Sequence, residues 1–440
     1  MSGELLLGLD LGTTSCKAAV VTPEGDELAH GRARVAWELV PTGAEIAPQG
    51  LLDAALAAAR EALAAGPRGR VAGLGVASMA ETGVLLDGAG APVVPAIAWH
   101  DSRGEDEAGR LAADLGRARF SERTGLEPRP LCTVAKYRWM LDHREGASRG
   151  VRWLGVAEWV VHGLGGDQVA ELSLASRTGW LDLHARGWWD EALDWAGAPA
   201  GLLPDPAPAG TPAGTVGDAL PEARGAVLAV GGHDHLSAAV GAGATGEGDV
   251  LDSWGTAEAF VRAVAPLSPE RVGAAVADGI NVGWHAVAGR QCLLGAMRSG
   301  AALQRVLNLL GVPAEGRAEL ERAALEVAAD AGGMELRGLN DDRVELVGIG
   351  QEPSPALVWR AALESAGRGA RDILDRMDRV AGPRRRLVVA GGWAEGEAAR
   401  AVKEAHLGPF EQSRAVYMGA RGAALTAGRA AGILTAGKGR

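Results

Sequence analysis

Residues 5–21, LLLGLDLGTTSCKAAVV, consist of two apolar runs joined by a short polar turn. The two apolar runs predict strands, and the glycine and hydroxyl residues between them predict a hairpin turn. Backbone N–H groups and the hydroxyls of Thr13, Thr14 and Ser15 suit phosphate oxygens, and the carboxylate of Asp10 suits Mg²⁺. The stretch therefore predicts a phosphate-binding hairpin, and the alternative is an ordinary hairpin with a polar turn.

Composition limits the class of protein. At 440 residues the chain is long enough for two domains, and its three cysteines, far apart and odd in number, argue against a disulfide framework or a Cys-based metal site. A net charge of −11 argues against nucleic acid as a partner. No apolar run approaches the length of a bilayer-spanning helix and no signal peptide is evident, so we expect a cytoplasmic protein without a membrane partner.

The order of strand-like and helical segments repeats once along the chain. In each half, strand-like segments (within 1–40 and 226–263) come before helical patterns. Prolines cluster over 199–212, which predicts a connecting segment. We therefore expect two similar lobes that face each other across a cleft, with domains at 1–225 and 226–440.

Residues 241–246, GAGATG, match the dinucleotide-binding pattern G-x-G-x-x-G. That motif requires a strand before it and a helix after it. Here a helical segment precedes the glycines and a strand-like segment follows them. The reversed order predicts a glycine-rich turn without nucleotide-binding function.

Six short motifs occur in a characteristic order along almost the whole chain. They are GLDLGTTSCK (8–17), AIAWHDSR (96–103), SLASRT (173–178), GGHDH (231–235), DSWGT (252–256) and VVAGG (388–392). Their order and spacing resemble the FGGY family of carbohydrate kinases, within the actin/hexokinase/heat-shock-70 superfamily. The resemblance implies an α/β fold of two ribonuclease-H-like domains flanking a cleft. It also implies ATP-dependent phosphorylation of a sugar or polyol hydroxyl.

The resemblance also implies roles for individual residues. Asp234 is similar to the family's general base, which takes the proton of the attacking hydroxyl; the alternative is a turn aspartate that bonds to its own backbone. Asp10 is similar to the carboxylate that organises Mg²⁺. The nucleotide-binding residues implied by the resemblance are Asp10, Thr13, Thr14, Ser15, Gly255, Thr256, Gly300, Gly391 and Gly392.

Five residues resemble the family's sugar site: Glu81, Trp99, Asp101, Arg103 and His235. An ionised carboxylate can accept hydrogen bonds from two vicinal hydroxyls, which suits Glu81 to a polyol, although a surface glutamate after a strand is the alternative. The carboxylates of Glu81, Asp101 and Asp234 would repel an acidic sugar, and Ala80 supplies no compensating cation, although Arg103 would offset part of this repulsion. We therefore expect a neutral polyol or ketose as substrate.

Two departures from the family pattern leave parts of the function open. Trp393 follows the glycines of the adenosine motif where a small residue is usual; the alternatives are stacking on adenine and packing outward, and we favour packing. The segment 336–351 is shorter than in relatives, which leaves the sugar and the oligomeric state, with a homodimer among the options, undecided. The alternatives to a kinase are a nucleotide-binding sensor or activator and a pseudokinase of the same superfamily.

Overall fold

A computed structural model describes residues 3–434. The elements of the first half are the strands β1 (Glu4–Leu11), β2 (Ser15–Val21), β3 (Glu27–Arg34), β4 (Glu38–Val40), β5 (Gly43–Ile46), β6 (Arg70–Ser78), β7 (Gly83–Leu86), β8 (Ala96–Ile97), β9 (Arg152–Gly155), β10 (Ala170–Glu171), β11 (Leu181–Asp182), β12 (Gly187–Trp188), β13 (Pro206–Ala207), β14 (Pro212–Thr215) and β15 (Val227–His233), and the helices α1 (Pro48–Ala65), α2 (Glu105–Asp114), α3 (Arg117–Thr124), α4 (Thr133–His143), α5 (Val156–Gly163), α6 (Leu172–Ala175), α7 (Asp190–Ala196) and α8 (Asp234–Gly241).

The elements of the second half are the strands β16 (Asp249–Trp254), β17 (Glu258–Val264), β18 (Asn281–Trp284), β19 (Gln291–Met297), β20 (Glu335–Arg337), β21 (Glu345–Val347), β22 (Arg386–Ala390) and β23 (Glu411–Gln412), and the helices α9 (Pro269–Ala277), α10 (Ser299–Leu309), α11 (Arg317–Leu325), α12 (Pro355–Ala381), α13 (Glu397–Leu407) and α14 (Met418–Ala430). Short 3₁₀ turns lie between several of these elements.

The first large sheet has six strands in the order β14-β15-β6-β1-β2-β3. Strands β1, β2 and β3 form an antiparallel meander, and β6 and β15 run parallel to β1. The predicted hairpin is confirmed, with Asp10 opposite Lys17 and Leu11 opposite Cys16. The carboxyl ends of β1, β6 and β15 therefore meet at one edge of this sheet.

The second large sheet repeats this arrangement in the order β18-β19-β17-β16-β22-β23. Strand β16 takes the place of β1: β17 and β19 continue from it antiparallel, and β22 and β23 run parallel to it. An antiparallel meander with two further parallel strands thus occurs in both sheets. This confirms the predicted α/β fold of two ribonuclease-H-like domains.

Two helices connect the sheets. The proline-rich segment over 199–212 does not connect the two sheets, because it leads into β14, which pairs with β15 of the first sheet. The chain passes from the first sheet to the second through α8, and α14 returns to pack on β1, β6 and α8. The predicted division between 1–225 and 226–440 thus precedes a strand of the first sheet. We propose that the first domain extends to the end of α8.

Two expectations about single elements have different outcomes. The pattern over 153–164 predicts one helix, but its first residues form β9, which pairs with β7, and the helix α5 begins only at Val156. Pairing with a neighbouring strand has overridden the local helical pattern. The glycine-rich segment 241–246 is confirmed as a turn between α8 and β16.

Helix α14 lies very close to the first sheet, at positions where the facing residues have no side chain. A Cβ at Gly8 would lie 1.8 Å from the carbonyl oxygen of Ala420, and one at Gly75 would lie 2.0 Å from that of Ala423. A Cβ at Gly422 of α14 would lie 1.8 Å from the carbonyl oxygen of Ser237 in α8. Neither backbone can move away without disturbing the packing of its own element, so these glycines determine how closely the helix approaches the sheet.

Substitution of Gly8 should therefore destabilise the fold. We expect Gly8→Ala to lower the free energy of unfolding by about 1–3 kcal/mol, the usual cost of overpacking, and to lower Tm in a thermal scan. Gly109→Ala is the matched control, because a Cβ there meets no atom within 4 Å and the residue lies in helix α2. We expect that variant to gain about 0.5–1 kcal/mol. Equal Tm values for the two variants would contradict this account of the helix contact.

Candidate active site

The turn between β1 and β2 lies at the carboxyl end of β1. Two indoles hold Thr13, since Trp99 Nε1 donates to its Oγ1 (2.7 Å) and Trp37 Nε1 donates to its carbonyl oxygen (2.6 Å). Thr14 is exposed, whereas Ser15 is buried at the start of β2. Thr14 is therefore the most accessible hydroxyl of the turn. Trp99 is hydrogen-bonded to this turn, which the sequence predicts to bind phosphate.

Asp10 lies beside this turn and faces a second carboxylate. Its Oδ1 atom is buried and has no hydrogen-bond partner within residues 3–434. Burial and the negative charge of Asp234 raise the pKa of Asp10 to about 7, and the positive charge of Lys17 opposes this rise. A Cβ at Gly419 of α14 would meet Asp10 Oδ2 at 2.3 Å, so the helix closes this side of the carboxylate. Two like charges held together in this way favour a cation between them.

Strand β15 ends at a tight junction that orients Asp234. Gly232 has a φ of +99° and passes close to Ser173, whose Oγ accepts a hydrogen bond from His233 N (2.9 Å). Asp234 Oδ1 accepts from His235 N (2.7 Å) and lies 3.1 Å from His233 Nε2. Burial lowers the pKa of His233 to about 3, so its imidazole is neutral. The Asp234 side chain is 23% exposed, which makes its carboxylate accessible from the cleft.

Glu81 occupies the turn after β6 in a strained conformation. Its φ of +63° is unusual for a residue other than glycine, and such strain is concentrated at functional sites. Its Oε1 accepts from both Nε (2.8 Å) and Nη2 (2.7 Å) of Arg177. Arg177 belongs to the SLASRT motif but was assigned no role from sequence, where Arg103 was the candidate cation. In the structure Arg103 pairs with Asp101, and the guanidinium of Arg177 neutralises the Glu81 carboxylate.

The Glu81–Arg177 pair lines an open cavity of about 80 Å³ between residues of both lobes. This volume is smaller than the roughly 300–1,000 Å³ of most small-molecule sites. The lining residues are Glu81, Leu126, Glu127, Arg129, Leu131, Cys132, Arg177, Val276, Gly279 and Asn281. Apart from Glu81, none was predicted, because they come from separate loops with no common sequence pattern.

Asp101 and Arg103 are engaged within the protein. They form a buried ion pair (Oδ2–Nη2, 2.7 Å), and Arg103 also bonds to Glu45. The neighbouring loop is held by Lys136, whose Nζ donates to the carbonyl oxygen of Trp99 (2.8 Å). The arrangement positions the loop that carries Trp99. A direct contact of Asp101 and Arg103 with substrate stays a prediction.

The predicted nucleotide-binding residues of the second lobe lie around the turn between β16 and β17. A Cβ at Gly300, near the start of α10, would lie 1.9 Å from the carbonyl oxygen of Gly255. Gly391 follows β22 with a φ of +105°, and a Cβ there would lie 2.3 Å from the carbonyl oxygen of Trp254. Thr256 is exposed at the tip of the turn. The fold thus brings together segments that are more than a hundred residues apart in sequence.

Gly392 lines a second open cavity, of about 340 Å³. Its lining residues are Ala314, Arg317, Ala318, Glu321, Arg322, Gly392, Glu395, Gly396 and Glu397. Trp393 was expected to stack on adenine or to pack outward, with packing favoured. The indole is buried and is absent from the lining of this cavity, and the Arg317 guanidinium lies 4.4 Å from its ring centre.

A buried lysine supports the turn of the second lobe from behind. Lys403 Nζ lies 2.5 Å from Asp252 Oδ2 and also bonds to Glu258. Its Nζ lies 3.8 Å from the centre of the Trp254 ring, and Ser299 Oγ links that indole to Glu258. The aspartate of the DSWGT motif is thus paired with a lysine, unlike the corresponding aspartate of the first lobe. No sequence signal singled out Lys403, because it comes from α13, about 150 residues downstream.

Comparison with known proteins identifies the family of the chain. Residues 5–241 match the FGGY family of carbohydrate kinases, N-terminal domain. The xylulose kinase of Streptomyces coelicolor is 32% identical over 455 residues, covering 98% of this chain and 89% of that protein. The glycerol kinase of Bordetella parapertussis is 31% identical over 469 residues, covering 98% of this chain and 90% of that protein.

Solved structures agree in fold. The xylulose kinase from Rhodospirillum rubrum has a TM-score of 0.87 at 26% identity, covering 96% of this chain and 89% of that one. The glycerol kinase of Plasmodium falciparum with ADP has a TM-score of 0.86 at 17% identity, covering 99% and 91%, which is evidence for the fold alone. Fold and relatives together define a carbohydrate kinase. The chain belongs to the FGGY family of carbohydrate kinases.

Family, fold and enzyme class are therefore confirmed as predicted, and the family supports ATP as a substrate. Within residues 3–434, every helix is too short or too polar to span a bilayer. The roles of the individual site residues stay proposals.

The raised pKa of Asp10 has a measurable effect on stability. In the unfolded chain an aspartate titrates near about 3.9, whereas in the folded protein Asp10 titrates at about 7. The folded state binds the proton more tightly, so the contribution of Asp10 to stability falls as pH rises from about 4 to about 7 and is constant above that range. One pKa unit corresponds to about 1.4 kcal/mol.

Asp10→Asn removes this titration. Without nucleotide or Mg²⁺, we expect the Tm of Asp10→Asn relative to wild type to rise between pH 5 and about pH 7 and then to level off. Asp26→Asn, in the exposed turn between β2 and β3, is the control and should show no such rise. A Tm difference for Asp10→Asn that is independent of pH would show that Asp10 does not face Asp234 as a charged neighbour.

Proposed function

We propose that the protein transfers the γ-phosphoryl group of ATP to a hydroxyl of a sugar or polyol, with Asp234 as the general base. The observation that carries this proposal is the position of Asp234. It begins α8 at the carboxyl end of β15, its carboxylate is accessible from the cleft, and its charge acts on Asp10 beside the first turn. Asp234, the proposed base for the sugar hydroxyl, therefore lies near the turn that is suited to phosphate.

The reaction requires little covalent chemistry from the protein. Asp234 accepts the hydroxyl proton while the hydroxyl oxygen forms a bond to the γ-phosphorus, and the bond to the bridging oxygen of ADP breaks. Catalysis of this kind depends on in-line positioning and on one correctly oriented carboxylate. His233 Nε2 and the His235 backbone N–H both contact Asp234 Oδ1, so the other oxygen, Oδ2, is the candidate proton acceptor.

Phosphates would lie between the two turns. Thr14 and Thr256, one from each lobe, are the exposed hydroxyls of these turns. Asp10 fits a Mg²⁺ site, since its buried Oδ1 has no protein partner within residues 3–434 and a nearby carboxylate adds negative charge. Bound Mg²⁺ would neutralise charge on the phosphate oxygens. The cavity beside Gly392 and Arg317 is the candidate adenosine pocket.

The sugar would bind beside Glu81, His235 and Trp99. Arg177 presents N–H donors and Glu81 presents acceptor oxygens, so the pair can both donate hydrogen bonds to substrate hydroxyls and accept hydrogen bonds from them. Because Arg177 neutralises Glu81, the charge argument against an acidic sugar is weaker than the sequence implied. We retain a neutral polyol or ketose as the proposed substrate class, since two aspartates, Asp10 and Asp234, remain in the cleft.

Two expectations remain open. The segment 336–351 carries the short hairpin of β20 and β21, and the homodimer stays a prediction. The sensor or activator and the pseudokinase differ from the kinase in one measurable property, turnover. A panel of sugars, polyols and sugar acids in a coupled ADP-release assay distinguishes them, and absence of turnover with every compound would favour the pseudokinase.

Replacement of the proposed base should affect chemistry more than binding. We expect Asp234→Asn to lower kcat by about 10²–10⁴, the usual contribution of a general base, with the Kd for ATP nearly unchanged. Asp26→Asn serves as the control for the loss of one aspartate. Turnover by Asp234→Asn at a rate near that of wild type would refute the assignment.

The Glu81–Arg177 pair should govern sugar affinity. Glu81→Gln keeps the shape of the side chain but removes its charge, leaving a substrate hydroxyl and Arg177 with a weaker acceptor. We expect KM for the sugar to rise by about 5- to 150-fold, corresponding to about 1–3 kcal/mol, with KM for ATP little changed.

Glu127→Gln is the matched control for this test. Glu127 lines the same cavity, but it pairs with arginines at the exposed rim. In steady-state kinetics with the best substrate of the panel, we therefore expect the KM of this variant for the sugar to be close to that of wild type. Equal KM values for Glu81→Gln and wild type would remove Glu81 from the sugar site.

A further inference from the structure

Three potential metal ligands meet at the junction of β15 and α8. These are His233, Asp234 and His235, whose donor atoms all lie within 4.8 Å of one another. Asp234 Oδ1 is 3.1 Å from His233 Nε2 and 4.0 Å from His235 Nε2. Ligands at about 2.0–2.2 Å around a tetrahedral Zn²⁺ lie roughly 3.4 Å apart. The two distances fall on either side of this value, and ion binding would require the three side chains to adjust.

The cluster combines a rigid part with an adaptable part. His233 is 7% exposed, and its backbone N–H is anchored by Ser173, so its ring is held in place. The His235 side chain is 39% exposed and can rotate, which gives an ion access from the cleft. With three protein ligands, a fourth coordination position remains open towards the cleft, as in zinc sites that bind water or substrate.

The donor set selects a particular class of ion. Two imidazole nitrogens and one carboxylate oxygen suit Zn²⁺ and other first-row transition metals, whereas Mg²⁺ prefers oxygen ligands and keeps several waters. Asp10 adds negative charge nearby, and the Arg177 guanidinium, whose charge acts on His233, is paired with Glu81. The cluster is therefore chemically distinct from the proposed Mg²⁺ site at Asp10.

We propose that His233, Asp234 and His235 form a binding site for a divalent first-row transition metal ion, represented by Zn²⁺, and that its occupation blocks sugar phosphorylation. The ion would bind the Asp234 oxygen and fill the space at the carboxylate, so it would compete with the sugar. The binding part of this proposal is independent of the catalytic role of Asp234. The inhibition part rests on the proposed function.

The binding part is tested on the full chain without nucleotide or sugar. Co²⁺ is titrated into the protein, and visible absorption typical of four-coordinate Co²⁺ with one equivalent bound is expected; excess Zn²⁺ should displace it and Mg²⁺ should not. Zn²⁺ affinity is then measured by competition with a chromophoric chelator. We expect His235→Asn, at an exposed position, to weaken Zn²⁺ binding by at least about 10- to 100-fold, the range known for loss of a supporting group.

Two further variants make this test decisive. His233→Asn should show a similar loss, whereas His143→Asn, on the exposed end of α4, should bind Zn²⁺ as wild type does. Unchanged affinity in both His235→Asn and His233→Asn would overturn the proposal, and so would the absence of a one-equivalent Co²⁺ site in the wild type. These readouts do not depend on turnover, so they are separable from a failure of the kinase assignment.

The inhibition part is tested by initial rates with MgATP fixed in excess. Zn²⁺ should raise KM for the sugar without changing kcat, and EDTA should reverse the effect. His143→Asn should show the same inhibition constant as wild type. Inhibition that is competitive with ATP and insensitive to sugar would place the ion at the nucleotide instead and would refute competition at Asp234.

Discussion

The parallel alignment of β1, β6 and β15 is the constraint on which the site depends. Strands that run parallel have their carboxyl ends at the same edge of the sheet, so the residues that follow them become neighbours. Asp10 near the end of β1, Glu81 after β6 and Asp234 after β15 are brought together in this way. In the second sheet, β16 and β22 do the same for Gly255 and Gly391. Loss of this alignment would separate every group proposed to act in phosphoryl transfer.

The corresponding aspartates of the two lobes, Asp10 and Asp252, have different surroundings. Asp10 has one oxygen without a protein partner in the described part of the chain and faces a like charge, so it is prepared for a cation. Asp252 is also buried, which raises its pKa to about 8, but it lies 2.5 Å from the buried ammonium of Lys403, whose positive charge opposes that rise. A buried carboxylate must be protonated, paired or metal-bound. The same fold thus yields one turn suited to a metal and one turn that carries its own cation.

The sequence allowed good prediction of local features. The hairpin at 5–21 alternates apolar runs with a glycine–hydroxyl turn, and the glycine-rich 241–246 segment sits between a helix and a strand, so local pattern and tertiary structure agree there. Residues 153–155 were predicted to be helical but belong to a strand, because pairing with β7 is a contact with a segment about seventy residues away. The sheet to which β15 belongs was equally hidden, since its place is fixed by pairing with β6 and β14 and by no property of its own sequence.

The features of the site also divide into those that the sequence determined and those that only the tertiary structure decided. The sequence by itself determined the family, the two-lobed fold and the residues of the turns, because these depend on residue types at fixed local spacing. Only the tertiary structure decided the charge environment of these residues. Arg177 neutralises Glu81, and Asp101 and Arg103 bond to each other. Lys403 supports the second turn, and two histidines meet at Asp234. Electrostatic energy depends on distance and burial, and neither quantity is encoded in the spacing of residues along the chain.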